Sequence, residues 1–271
     1  FGAAAQTFTT GALESPIEEI EAMTPLPRAR SPILLSKVDL TPMMPAPRSQ
    51  GRLGSCTGWA IAYAGRSYYM AAERKSAPDT DVEIASPAFQ YNHTALQAPE
   101  VNSTCGGAYM SRALEFMRTT GSLSLRDWPY NQQTCRPNNA SAYQLSKAAQ
   151  YKVPGYRRLL ITRGPGATMH PFKEALQAGH PVMVAMEVFT NWYHYRGGHT
   201  FSIPSHITPP GKGYHAIIAV GYDDSRQAVR LQNSWGSSWG DDGYMWIDYQ
   251  TFLRFTREAY VFTGMQPAIN P

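Results

Sequence analysis

Three side chains that lie far apart in the sequence could together perform nucleophilic catalysis. Cys56 follows a turn-rich stretch with Gly51 and Gly54 and stands just before a run predicted to be helical, Ala60 to Ala71. A cysteine in the first turn of a helix lies beside unpaired backbone N–H groups and the positive end of the helix dipole. Both favour the thiolate, which is the nucleophile. The alternative is a small buried cysteine in a core helix, the commoner fate of a lone cysteine.

A histidine and an asparagine that could act with this cysteine lie in two later stretches. His215 heads an apolar, strand-like run that ends at Tyr222, and Asn233 begins the sequence Asn-Ser-Trp-Gly. In a Cys-His-Asn arrangement the histidine takes the thiol proton, and the asparagine side chain fixes the orientation of the imidazole. The three residues therefore indicate acyl transfer through a thiol.

The elements that must position these residues differ between the two parts of the chain. Helical runs are predicted up to about residue 150, and one further helix at 172–178. Strands are predicted at 156–162, 182–188, 215–222, 228–232, 243–248 and 259–262. A helical half followed by a mostly antiparallel β half predicts an α+β protein with two subdomains and a cleft between them. Cys56 would come from the helical wall of this cleft and His215 from the β wall.

The composition describes a chain with a substantial core. Of the 271 residues, 43% are hydrophobic and 16% are charged, so the chain does not belong to the disordered class. The net charge of +4 is small, and the basic residues are scattered, with Arg157-Arg158 as the nearest approach to a cluster. We therefore expect no nucleic-acid partner. No apolar run approaches the roughly 18 residues of a membrane-spanning helix, so we expect no membrane partner.

The remaining histidines do not indicate a metal or a cofactor. His194, His199 and His206 lie in a segment rich in Gly and Pro and lack the spacing of metal ligands. We therefore expect neither a metal nor another cofactor.

The chain resembles the papain-like cysteine peptidases (clan CA, family C1). The strongest match is the twelve-residue run from Asn233 to Tyr244. The other matches follow the family's order over about residues 37 to 262: Gln50-Gly51, Gly54-Ser55-Cys56, His215-Ala216, Ala219-Val220-Gly221-Tyr222, and more weakly Cys105-Gly106-Gly107, Trp128-Pro129-Tyr130, Pro181-Val182 and Tyr195-Arg196-Gly197-Gly198. The chain departs from the family at Thr57-Gly58-Trp59 and at Leu53, which stands where members usually have a disulfide-bonded cysteine. Such departures are familiar in bacterial relatives.

The resemblance implies a papain-like fold with a helical left half, an antiparallel β-barrel-like right half and the active-site cleft between them. It implies a thiol protease that hydrolyses peptide bonds through a Cys56 thiolate–His215 imidazolium pair and an acyl-enzyme intermediate. Asn233 would hold the imidazole ring. The Gln50 side chain and the Cys56 backbone N–H would form the oxyanion hole. No insertion is seen that blocks one end of the cleft, which favours an endopeptidase over an exopeptidase.

Substrate contacts are also implied by the resemblance. Gly106 and Gly107 would let an extended peptide pair with their backbone, and the alternative is a plain turn. Trp235 would shield the hydrogen bond between Asn233 and His215 from water, and the alternative is ordinary core packing. We expect peptide or protein substrates and a monomeric enzyme.

The three cysteines fit one disulfide and one free reactive thiol. The resemblance places a disulfide between Cys105 and Cys135 and leaves Cys56 free. This pairing would indicate an oxidising location, namely a secreted, periplasmic or lysosome-like compartment. The alternative is three reduced thiols in a cytosolic protein.

The chain is predicted to have three parts: an N-terminal extension (1–36), a helical subdomain with the nucleophile (37–149) and a β-rich subdomain with the histidine and the asparagine (150–271). Enzymes of the family are often made with an inhibitory segment laid across the cleft. The resemblance therefore implies a zymogen in which residues 1–36 inhibit intramolecularly. The alternative is an extended arm packed elsewhere on the surface. Within this extension, Ser15 is predicted to cap a short helix that begins at Pro16.

Two other functions use the same residues. A Cys-His-Asn amidase or acyltransferase would share the chemistry and differ in its substrate contacts, but the long Asn-Ser-Trp-Gly match argues against it. A catalytically silent binding protein on the same fold would not need Gln50, Cys56, His215 and Asn233 together.

Overall fold

The computed structural model describes residues 8–27, 33–95, 106–132 and 140–265. Cys105 and Cys135 lie outside these ranges, so their disulfide stays a prediction. Cys56 is buried and carries a free thiol. Within the described ranges, no helix has both the length and the apolar character needed to cross a membrane.

The nucleophile's helix is one continuous helical stretch through the middle of the molecule. It begins as α2 (Cys56–Gly58), widens into a π-helical segment (Trp59–Arg66) and continues as α3 (Ser67–Arg74). Gly58 weakens helix propensity, but packing requires it, because a Cβ there would lie 2.4 Å from the backbone oxygen of Pro87. The glycine therefore lets a neighbouring helix approach the first turns of this stretch.

The other helices of the first part pack around this stretch. They are α4 (Pro87–Thr94), α5 (Met110–Thr119) and α6 (Ala142–Ala148), and a short α1 (Ile17–Ala22) precedes them. Ser86 caps α4 as its sequence position indicates, because its side chain accepts the N–H of Phe89 at 3.1 Å. Two helices follow among the strands: α7 (His170–Gln177) and α8 (Tyr249–Phe255).

All ten strands of the described residues belong to one open sheet, and seven of them follow one another along its main path in the order β4-β10-β5-β7-β8-β9-β6. These seven strands are β4 (Gly155–Arg158), β5 (Val182–Glu187), β6 (Thr200–Phe201), β7 (Tyr214–Asp223), β8 (Ala228–Gln232), β9 (Tyr244–Asp248) and β10 (Thr256–Thr263). The predicted α+β class is confirmed, with an open sheet in place of the predicted barrel-like half. β7 is central, and β5 and β8 flank it in antiparallel pairs.

Three short strands join the two parts of the chain. β2 (Lys37–Asp39) pairs with the far end of β7. β1 (Ala12–Leu13) runs parallel to β3 (Ala108–Tyr109) and meets β7 at Tyr214. The N-terminal segment (residues 8–27) therefore lies where the helical part meets the sheet.

Candidate active site

Cys56 lies at the junction between the helices and the sheet. It is the first residue of α2 and is completely buried. The backbone N–H of Ala216, on β7, donates to its Sγ atom at 3.4 Å. The sulfur thus belongs to the helical wall but contacts the strand that carries the histidine.

His215 and Asn233 lie next to each other on the sheet side of this junction. The Nε2 atom of His215 is 2.7 Å from Oδ1 of Asn233, which also accepts the backbone N–H of Ser234 at 2.8 Å. An amide oxygen cannot donate, so Nε2 carries the proton and Nδ1 of the neutral ring is an acceptor. Nδ1 is buried and has no hydrogen-bond partner among the described residues. This free acceptor suits a ring that takes a thiol proton.

Trp235 covers the imidazole. Its ring centroid is 4.8 Å from that of His215, and the two planes are inclined by 32°. Such a cover keeps water from the neighbouring hydrogen bond to Asn233 and so strengthens it.

Gln50 connects the two walls. Its side-chain oxygen accepts the hydroxyl of Ser234 at 2.6 Å. Its Nε2 atom donates to the carbonyl of Leu53 at 2.8 Å and lies 3.3 Å from the hydroxyl of Thr9. The amide that was predicted to bind an oxyanion is therefore already engaged, in part by the N-terminal segment.

The N-terminal segment runs across Cys56. Backbone N–H groups of Gly11 and Ala12 face the sulfur, and the carbonyl of Gly11 accepts the N–H of Ala108 at 2.9 Å. A Cβ on Gly11 would lie 2.0 Å from the backbone oxygen of Gly54. A Cβ on Gly107 would lie 2.4 Å from the carbonyl oxygen of Gly11. The chain fits here only because these backbones can touch.

Side chains on both sides of this crossing anchor the segment. Phe8 stacks on Trp235 with centroids 5.0 Å apart and planes 22° apart, and the carbonyl of Thr9 accepts the indole N–H of Trp235 at 3.0 Å. Ser15 donates its backbone N–H and its hydroxyl to the buried carboxylate of Glu258, at 2.8 and 2.7 Å. Ser15 does not cap a helix as predicted. Pro16 is the N-cap residue of α1, and the Ser15 side chain is used for this long-range contact.

Burial sets the protonation of Cys56 and His215 while the N-terminal segment covers them. It raises the pKa of the Cys56 thiol to about 11, although backbone N–H groups partly oppose the rise. It lowers the pKa of His215 to about 4, with the bond to Asn233 partly opposing. At neutral pH both groups are therefore uncharged here. The thiolate–imidazolium pair stays a prediction for an uncovered cleft.

Sequence reasoning identified Gln50, Cys56, His215 and Asn233, and the structure brings these four together. It missed Ser234 and Thr9, which both hydrogen-bond to Gln50. Ser234 could have been found, because it lies within the Asn-Ser-Trp-Gly match. Thr9 could not, because nothing local predicts a contact across 41 residues. Within the described part of the chain, no three His, Cys, Asp or Glu side chains form a group that could hold a metal ion.

The arrangement is similar to that of known proteins. A family model described as papain family cysteine protease matches residues 38–262. A cysteine protease of Blomia tropicalis is 26% identical over 74% of this chain and 56% of its own length. Pro-cathepsin H of Medicago truncatula is 30% identical over 73% of this chain and 51% of its own length. The chain thus spans about half the length of these curated relatives. The crystal structure of xylellain, a cysteine protease from Xylella fastidiosa, superposes on this chain with a TM-score of 0.77 and a sequence identity of 25%. The match covers 97% of this chain and 98% of the xylellain chain, in agreement with the predicted papain-like fold.

Proposed function

Since this chain belongs to the papain family of cysteine proteases, we propose that it is a cysteine endopeptidase that its own N-terminal segment holds inactive. The observation that carries the proposal is the geometry at the junction. The Asn233-bound imidazole of His215 lies on the same strand as the Ala216 N–H that contacts the Cys56 sulfur. These are the parts that acyl transfer through a thiol requires.

The chemistry follows from the residues in this order. Cys56 attacks the peptide carbonyl as the thiolate, and its proton has passed to Nδ1 of His215. The imidazolium then protonates the leaving amine, and water hydrolyses the acyl-enzyme with the same ring as the base. Asn233 keeps the ring in place throughout. The Gln50 amide and the Cys56 N–H stabilise the negative charge on the carbonyl oxygen.

The N-terminal segment supports the inhibition in three separate ways. Gly11 and Ala12 occupy the space over the sulfur, where a substrate carbonyl would have to lie. β1 pairs beside Gly107, where a substrate backbone was predicted to bind. Thr9 lies against the amide of Gln50, which must be free to bind an oxyanion.

Covering also switches off the nucleophile electrostatically. The segment helps to exclude water from Cys56 and His215, and this burial favours the neutral thiol and the neutral imidazole. Removal of the segment readmits water, so that the charged pair can form. The proposed inhibition is therefore both steric and electrostatic.

The test uses the full chain with Gly11 replaced. In Gly11→Val the side chain has no room against Gly54, so the segment must leave the cleft. We expect hydrolysis of a fluorogenic peptide and iodoacetamide labelling of Cys56 to rise at least tenfold over the wild type. Ala22→Val is the matched control, because it adds the same side chain at an exposed position of the same segment. We expect no rise in activity with this control.

Each other outcome contradicts one part of the proposal. Labelling of Cys56 without peptide cleavage in Gly11→Val would contradict the peptidase and favour an amidase or acyltransferase. Full activity in the wild type, equal to that of Gly11→Val, would contradict the inhibition.

We also propose that the enzyme works in an oxidising compartment, with Cys105 and Cys135 joined by a disulfide. The free, completely buried thiol of Cys56 supports this pairing, because it leaves the other two cysteines to bond with each other. Alkylation of the unfolded, unreduced protein should then modify one cysteine, and modification of three would contradict the disulfide.

A further inference from the structure

One irregular loop carries the Gln50 donor of the proposed oxyanion hole and leads directly into Cys56, whose backbone N–H is the other donor. The loop runs from Gln50 to Ser55, immediately before Cys56, and includes a positive-φ turn at Gly51. Residue 53 is a leucine at the position where the family resemblance implies a disulfide-bonded cysteine, so no disulfide holds the loop there. Because oxyanion donors act through their fixed position, some other contact must hold it.

A tyrosine from a distant part of the chain joins the two ends of this loop. The hydroxyl of Tyr130 donates to the backbone carbonyl of Gln50 at 2.7 Å. The same hydroxyl lies 2.6 Å from the hydroxyl of Ser55. A phenol has one hydrogen, and a carbonyl can only accept, so the Ser55 hydroxyl must donate to Tyr130. The result is a directed chain from Ser55 through Tyr130 to Gln50.

The Ser55 side chain bonds to Tyr130 instead of capping the helix that follows it. Ser55 is the N-cap residue of the Cys56 helix, where a serine side chain usually accepts a backbone N–H, but its side chain makes no capping bond here. Such a cap typically stabilises the first turn of a helix. The bond to Tyr130 replaces it.

The ring of Tyr130 is itself held by packing. It meets Trp59 edge-on, with centroids 5.0 Å apart and planes 76° apart. It packs against a cluster formed by Trp59, Tyr63, Ile84 and Leu125. Nearby, the side chain of Gln132 donates to the carbonyl of Ser49 at 3.2 Å. The segment around Tyr130 therefore supports the loop from outside.

We propose that Tyr130 is a positioning residue for the oxyanion hole. Its hydroxyl holds the loop that in this chain has Leu53 in place of a disulfide-bonded cysteine. This inference rests on the proposed function. Without the hydroxyl, the carbonyl of Gln50 and the side chain of Ser55 lose their common partner. The Gln50 amide and the Cys56 N–H then no longer converge on one point. A misplacement of about 1 Å in such a constellation can cost on the order of 10² in rate.

The experiment replaces Tyr130 by phenylalanine in the full-length Gly11→Val protein. We expect kcat for a fluorogenic peptide to fall about tenfold to a hundredfold, with KM within about twofold. We expect the rate of Cys56 alkylation by iodoacetamide to stay unchanged, because alkylation of a thiolate uses no oxyanion hole. A merely structural role would change both rates together.

Tyr63→Phe is the matched control. The hydroxyl of Tyr63 also donates to a backbone carbonyl, that of Ala46 at 2.6 Å, and its ring lies in the same cluster, 4.5 Å from Trp59. We expect this control to lose a similar amount of thermal stability and to keep its kcat. Ser55→Ala should lower kcat less than Tyr130→Phe, and the double variant should lower it by less than the product of the two effects.

The failures can be told apart. An inactive Gly11→Val parent would overturn the proposed function, and this inference with it. An active parent whose kcat is unchanged by Tyr130→Phe would overturn the inference alone. Equal losses of kcat and of thermal stability in Tyr130→Phe and Tyr63→Phe would also overturn the inference alone.

Discussion

The helical wall and the sheet wall hold the proposed catalytic groups by different means. On the sheet wall, His215 pairs with Met186 of β5, and Asn233 directly follows Gln232, the last residue of β8 and a partner of Tyr244. Backbone ladders therefore fix both positions. On the helical wall, the loop from Gln50 to Ser55 lies outside every ladder of the sheet. Apart from one backbone bond to the sheet wall, from the N–H of Gln50 to the carbonyl of Ser234 at 2.8 Å, its contacts are mainly hydrogen bonds with the side chains of Tyr130, Ser234 and Thr9.

This difference predicts which of the two walls tolerates substitutions near its functional groups. A backbone ladder tolerates many side chains, so the spacing between the imidazole and the amide is insensitive to most substitutions nearby. A loop held by a few hydroxyls depends on each of them. Substitutions should therefore weaken oxyanion stabilisation more easily than they displace the imidazole of His215. The following predictions test this comparison.

The largest effect is expected on the sheet wall, from His215→Ala in the Gly11→Val protein. Removal of the base should lower kcat by at least about 10⁴, because the thiol then has no proton acceptor. Progress curves with a fluorogenic peptide measure it. The fold should survive, as judged by circular dichroism. A residual activity above one hundredth of the parent's would contradict the assigned role.

The second effect compares the covered and the uncovered cleft by the pH dependence of alkylation. With a thiol pKa of about 11 in the covered state, only about one molecule in 10⁴ carries the thiolate at pH 7. The wild-type alkylation rate should therefore rise about tenfold per pH unit toward pH 11. In Gly11→Val, water reaches the pair and the rate should level off at least two pH units lower. Equal midpoints in the two proteins would contradict the electrostatic part of the inhibition.

The third effect tests the loop on the helical wall through Gln50→Ala. Loss of one oxyanion donor should lower kcat by about 10²–10³ while Cys56 alkylation continues. Gln132→Ala is the control, since its amide bonds to the carbonyl of Ser49, the residue directly before this loop, but contributes no oxyanion donor. We expect the control to keep at least one third of the parent's kcat. Equal losses in the two variants would mean that the loop, and not the donor, was disturbed.

The smallest effect is expected at the outer end of the helical wall, where Arg48 and Asp81 form an exposed ion pair at 2.8 Å. Arg48→Ala should lower the free energy of unfolding by less than about 1 kcal/mol, because water screens the pair. Urea unfolding measures it, and kcat should not change. A large loss of activity would show that the helical wall is coupled to its surface charges.

The sequence was sufficient to predict a strand or a site residue where the local residue pattern and the chemistry of the side chains agree. The strand predicted at 228–232 is β8 (Ala228–Gln232), and the predicted 182–188 is β5 (Val182–Glu187), because apolar and β-branched runs are bounded by turn residues. The order of Cys56, His215 and Asn233 led to the site in the same way.

The sequence was insufficient where a contact joins distant segments. β1 and β3 are two residues long and form only because the N-terminal segment, which contains β1, lies against β3, so no periodicity could reveal them. Ser15 has the local chemistry of a helix cap, but the buried carboxylate of Glu258, 243 residues away, takes both of its donors. Tyr130 similarly gave only a weak motif match, and its hydroxyl contacts became visible only in three dimensions.

The N-terminal segment has one more consequence beyond the cleft. β4 is the last strand of its sheet, and residues 24–26 lie along its outer edge, where Leu26 and Arg158 share a backbone hydrogen bond of 2.8 Å and Pro25 and Arg158 form a bridge. Departure of the segment would leave this rim of N–H and C=O groups unpaired, and bare rims of this kind recruit strands from other molecules. The protein with its cleft uncovered should thus be the less soluble form at high concentration, and the form with the segment in place the better one to store.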